Sequence, residues 1–81
     1  MIVRVKLFAA VRQVAQQNEM MLELPAGSTI NDVRHALAQR LPALAELARH
    51  ARFSIDRHYA DPEMVISEGD EVACIPPVSG G

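Results

Sequence analysis

Between residues 30 and 41 the apolar side chains recur at spacings of three and four, while earlier in the chain they recur at two. Ile30, Val33, Leu37 and Leu41 make one stripe along a helix. Val3, Val5 and Leu7 alternate with Arg4 and Lys6, and Met20, Leu22 and Leu24 alternate with Met21 and Glu23, which marks strands with one buried face. A single helical stripe and a set of one-sided strands bury each other most economically as a sheet covered on one face by a helix.

The punctuation fits that plan. Residues 2–8 and 19–24 read as the first two strands, and the stretch between them, including Val11 to Val14, is a long hairpin loop or holds a turn of helix. Pro25-Ala26-Gly27 has turn chemistry. Ser28 or Thr29 caps the main helix, with Asp32 near its positive end. Pro42 stops that helix or starts another, and Leu44 and Leu47 point to a short second helix. Phe53 and Ile55 mark a third strand, Met64 to Ile66 a short fourth and Glu71 to Ile75 a fifth, with Gly69 before it free to take positive φ. The expected fold class is α+β, a β-grasp with a mixed sheet of about five strands, one main helix on one face and a short second helix. The first and last long strands should lie adjacent and parallel in its middle.

An 81-residue chain is one domain. At this size it buries only about 60–65% of its unfolded surface, which leaves no room for a deep substrate cleft. Lys and Arg are scattered singly and the net charge is -2, so the basic stripe of a nucleic-acid binder is missing. No stretch reads as a signal peptide or a membrane span, and the expected location is cytoplasmic. The lone Cys74 allows no internal disulfide, and its inward parity in the fifth strand marks a buried structural thiol rather than a persulfide carrier. His35, His50 and His58 lack ligand spacing, so no metal site is expected. With no recognisable nucleophile–base pair or phosphate loop, the domain is expected to have no catalytic site of its own.

What remains is the ending. Residues 1–75 form the expected domain and Pro76-Pro77-Val78-Ser79-Gly80-Gly81 a flexible tail, which reaches roughly 20 Å when extended. The prolines start it stiffly and the glycines end it without side chains, a combination suited to threading a carboxyl terminus through a narrow channel. Fraying is the ordinary state of last residues. An idle tail and a working one both remain open on pattern alone.

Over essentially its full length the chain resembles the small subunits of molybdopterin synthase, a family of ubiquitin-like sulfur carriers. The resemblance rests on Leu7-Phe8-Ala9 with Val11-Arg12, on Gly69-Asp70-Glu71-Val72-Ala73, and above all on Pro76-Pro77-Val78-Ser79-Gly80-Gly81. It implies that the carboxylate of Gly81, next to Gly80, is adenylated by a ubiquitin-activating-like adenylyltransferase that uses ATP, and is then converted to a thiocarboxylate. The loaded tail would enter the large synthase subunit, in a heterotetramer, and give sulfur to cyclic pyranopterin monophosphate. The chain itself would bind no cofactor and serve as a non-catalytic, sulfur-donating subunit. A carrier for thiamine thiazole synthesis shares the tail chemistry, although those chains tend to be shorter and to lack the Pro-Pro-Val-Ser lead-in. A protein modifier conjugated through Gly81 is a further alternative.

Parity supplies a contact surface. With Val72 and Cys74 inward, Ala73 and Ile75 fall on the opposite face, leaving Ile75 exposed beside the tail. Phe8, Tyr59 and Val78 could complete an apolar docking patch with it. The resemblance places Arg12, Tyr59 and Ile75 in partner contacts, and Phe8, Pro76, Pro77 and Val78 extend the expected surface. Gln13 and Asp56 depart from the residues usual in the family, which bears on details of partner pairing.

Overall fold

A computed structural model of the chain describes residues 1–77. The chain opens with β1 (Ile2–Leu7), which turns directly into α1 (Ala9–Ala15) and returns as β2 (Glu19–Glu23). The stretch between the first two strands is therefore a helix, ended at Gln16, whose φ of 57° is left-handed and whose N–H donates to the Arg12 carbonyl. β1 and β2 pair antiparallel with Val3 opposite Leu22 and Val5 opposite Met20, so their apolar residues share one face.

The main helix, α2 (Ile30–Arg40), begins with a complete capping box. The Thr29 hydroxyl accepts the Asp32 N–H at 3.3 Å, and the Asp32 carboxylate accepts the Thr29 N–H at 2.8 Å. Of the two candidate caps Thr29 does the work, and Ser28 is buried instead, its hydroxyl donating to the Pro25 carbonyl. Leu41 ends the helix in extended backbone before a 3-10 turn at Pro42–Leu44 and α3 (Ala45–His50). Arg34 ties α2 to α3. One of its guanidinium nitrogens donates to the carbonyls of Ala48, Arg49 and Ala51 at 2.7 to 2.9 Å, occupying acceptors at the end of α3, and the group lies 5.1 Å from the centre of the Phe53 ring.

The sheet is completed by β3 (Arg52–Ile55), β4 (His58–Tyr59) and β5 (Val72–Ile75), in the order β2-β1-β5-β3-β4. β5 runs parallel to β1 in the middle of the sheet, as the β-grasp order led one to expect, and antiparallel to β3. Gly69 enters it with φ of 91°. Val3, Val5, Leu7, Val72, Cys74 and Phe53 from the sheet pack with Ile30, Val33, Leu37 and Leu44 from the helical layer.

The fourth strand is not where the apolar run Met64–Ile66 placed it. Val65 makes only an isolated bridge to Thr29, the Met64 carbonyl accepts the Ile30 N–H, and the Ile66 N–H donates to the Ser28 carbonyl. This segment ties a loop to the start of α2, and of its three residues only Ile66 is buried. The strand slot goes to His58–Tyr59, which pairs with Ser54 and Ile55 across a two-residue turn at Asp56-Arg57. A hairpin needs only matched backbone and a tight turn, so these polar residues carry no apolar alternation to announce it.

Candidate functional site

The sheet covers its helices with one face and leaves the other open. Register places Lys6, Ala73, Ser54 and Tyr59 side by side across β1, β5, β3 and β4 on that open face. Ile75 lies opposite Arg52 in the next row toward the end of β5. Ala73 and Ser54 are small and almost fully covered by their neighbours, so they form a floor. Phe8, Ile75, Lys6, Glu71, Arg57 and Tyr59 rise around it, enclosing a shallow groove of about 450 Å³.

Three residues singled out from the sequence, Phe8, Tyr59 and Ile75, thus meet in one groove. Tyr59 is 62% exposed and Phe8 43% exposed, which leaves much of each ring free to be covered by another surface. Ile75 is half-buried rather than exposed, because it sits in the groove instead of standing above it. The Arg52 guanidinium, in the row of Ile75, stacks 4.3 Å from the centre of the Tyr59 ring and fixes that side chain from the end of β5. Arg12 is not part of the groove. It is exposed on α1, which packs against the 3-10 turn and α3. Pro76 is buried and Pro77 exposed, so the chain leaves β5 anchored through its first proline. Val78, Gly80 and Gly81 lie outside the described residues.

The groove also contains residues that the sequence did not single out. Lys6 and Glu71 pair across it at 3.3 Å, although 65 positions separate them in the chain. Both are substantially exposed, so the pair contributes little to stability and shapes the groove's charge instead. Arg57 and Ser54 are the other two. Only the Asp56-Arg57 turn could have pointed to Arg57, and it is visible in sequence just as two polar residues after an apolar strand. A second depression, lined by Ile2, Arg4, Met21 and Gly69 among others, shares Lys6 and Glu71 with the groove and extends the open face away from Ile75.

Cys74 is on the buried side of β5, and burial pushes its thiol up to about 12. A thiol protonated at neutral pH and closed to solvent is inert. Thiol reagents at neutral pH are therefore expected to leave the folded chain unlabelled and to label it once it is unfolded in guanidinium; fast labelling of the native protein would contradict its placement. His35, His50 and His58 are exposed on three separate elements. Among the described residues no group of His, Cys, Asp and Glu is placed to hold a metal ion, and no helix is long and apolar enough to cross a membrane.

The model of the ThiS family matches residues 5–81. The chain belongs to the ThiS family. Among curated proteins, the molybdopterin synthase sulfur carrier subunit of Chlamydomonas reinhardtii is 36% identical over 98% of this chain and 98% of its own length. That of Arabidopsis thaliana is 30% identical over 98% of this chain and 82% of its own. Among solved structures, small archaeal modifier protein 1 of Haloferax volcanii superposes with a TM-score of 0.85 at 28% identity, covering 100% of both chains. The ubiquitin-like β-grasp expected from the strand order is thus the fold observed, and the resemblance to molybdopterin synthase small subunits agrees with these relatives.

Proposed function

We propose that this ThiS-family chain is the sulfur-carrying small subunit of a molybdopterin synthase, working in the cytoplasm. The observation that carries the reading is likeness over 98% of the chain to a molybdopterin synthase sulfur carrier subunit. The Gly80-Gly81 ending and a groove that gathers Phe8, Tyr59 and Ile75 near the end of β5 support it.

In this reading Gly81 carries the chemistry. Its carboxylate is a poor electrophile, so an adenylyltransferase first joins it to the α-phosphate of ATP, releasing pyrophosphate and leaving an acyl adenylate. A donor of sulfide-level sulfur then displaces AMP and leaves a thiocarboxylate, a soft nucleophile that the large subunit directs at cyclic pyranopterin monophosphate. Water then cleaves the acyl–sulfur bond and returns the carboxylate. The carrier's folded domain supplies no acid, base or nucleophile to these steps. It supplies recognition, through Phe8, Tyr59 and Ile75, and it holds the tail root at Pro76. Incubation with the adenylyltransferase, ATP and a sulfur donor should give an intact-mass shift equal to replacement of oxygen by sulfur, localised to Gly81. An unchanged mass under conditions that load a known carrier would overturn the reading.

The groove makes its own prediction. Ile75→Asp places a charge on the open face without touching the buried core, so the melting temperature should hardly move. Affinity for the large subunit should fall at least tenfold, about 1.4 kcal/mol or more. Unchanged affinity by calorimetry would remove Ile75 from the interface.

Likeness to a small archaeal modifier protein favours a second reading, in which Gly81 forms isopeptide bonds with lysines of other proteins. A ladder of heavier conjugates that disappears with Gly81 would support it. Thiocarboxylate formation without any ladder would leave sulfur transfer as the sole use of the tail.

A further inference from the structure

Arg57 sits in the groove wall at a backbone position that an arginine does not favour. Asp56 has φ of 49° and Arg57 φ of 72°, and they join Ile55 to His58. Two central residues with positive φ between paired strands make a type I′ turn, for which Asp-Gly or Asn-Gly is the least strained pair. Asp56 suits the first position. Arg57 occupies the second, where a side chain beyond Cα is a conformational liability.

The turn cannot relax by slipping, because it is pinned to the start of β5. The Asp56 N–H donates to the Glu71 carbonyl at 2.9 Å, and the Glu71 N–H donates to the Asp56 carboxylate at 3.0 Å. The strained backbone is therefore held where it aims Arg57 at the groove that Tyr59, Phe8 and Ile75 also line. The groove's other lining cation, Lys6, is paired with Glu71. Arg57 makes no ion pair or hydrogen bond with another side chain among the described residues, so its charge is unpaired in a groove that it shares with Phe8, Tyr59 and Ile75.

We propose that Arg57 is a specificity-determining contact that receives a carboxylate of the large synthase subunit when that subunit covers the groove. The inference rests on the sulfur-carrier reading for the identity of the partner. Its chemistry rests on the groove: an unpaired guanidinium beside the apolar side chains of Phe8, Tyr59 and Ile75 favours an acidic side chain flanked by apolar ones, and a planar guanidinium can grip a carboxylate through two N–H donors.

Two variants separate this role from a structural one. Arg57→Gly removes the guanidinium and relieves the turn, so the melting temperature should rise by a few degrees while affinity for the large subunit falls about tenfold. Arg57→Ala removes the guanidinium but keeps a side chain at positive φ, so it should weaken binding equally with little change in melting temperature. Both losses, measured by calorimetry with the purified large subunit, should shrink as salt is raised. Wild-type affinity in both variants would overturn the contact while leaving the carrier reading standing. Loss of affinity together with a lowered melting temperature in Arg57→Gly would make Arg57 a structural residue and also overturn it. Failure of the wild-type chain itself to bind the large subunit would overturn the sulfur-carrier reading along with this proposal.

Discussion

Deletion of Gly81 is expected to abolish sulfur loading and molybdopterin formation while the melting temperature stays within about a degree of the full chain's. The two halves of that result have separate causes. Among the described residues, the core cluster and the sheet end by Ile75, so the truncated chain keeps every one of those residues. In the proposed reaction, by contrast, adenylation would need a carboxylate at one fixed distance from the docked groove. A chain ending at Gly80 would present its carboxylate one residue short, about 3.3 Å when extended. A misplacement of only 1 Å at a reacting centre costs about a hundredfold in rate. Assay of the truncated chain with the adenylyltransferase, ATP, a sulfur donor and the large subunit measures the loss directly. Retention of more than a small fraction of product formation would detach function from Gly81.

The largest stability effect is expected at Phe53. Its ring is 1% exposed, on the core side of β3, with the Arg34 guanidinium against it. Phe53→Ala removes the aromatic packing and leaves a cavity, a loss of about 3–5 kcal/mol. A domain of this size has a total stability of roughly 4–12 kcal/mol. The variant should therefore melt at least roughly 12 °C lower and approach unfolding at physiological temperature. The damage should reach the groove as well, because Arg52 and Ser54 flank Phe53 on β3 and belong to the open face, where Ser54 is floor and Arg52 braces Tyr59. A drop of less than about 4 °C would show that the ring is not a principal strut of the core.

Much of this arrangement was legible in the sequence wherever one face of an element is buried. The stripe from Ile30 to Leu37 and the alternation of Val3, Val5 and Leu7 are imprints of water exclusion, and they located α2 and β1 to within a residue or two. Parity placed Val72 and Cys74 inside and Ala73 and Ile75 on the far face, from which the groove follows. Elements held by hydrogen bonds alone left no such imprint. β4 is two exposed residues positioned by a turn, and Met64–Ile66 looked like a strand only because it is apolar. The walls of the groove were hidden for a different reason. Lys6 and Glu71 meet only because β5 runs alongside β1, and Arg57 enters only because the Asp56-Arg57 turn folds back toward Glu71. Arg12, taken from the family likeness rather than from parity, does not line the groove.

The central claim is that sulfur leaves from Gly81 and goes to a pterin. The direct measurement is a single-turnover reaction of the thiocarboxylated chain with purified large subunit and cyclic pyranopterin monophosphate, without a further sulfur donor. Molybdopterin should form in proportion to the loaded chain, each dithiolene consuming a pair of loaded carriers, and the intact mass of the chain should return to that of the plain carboxylate. Product formed equally from the unloaded chain, or sulfur still held on Gly81 after the large subunit has bound, would contradict it.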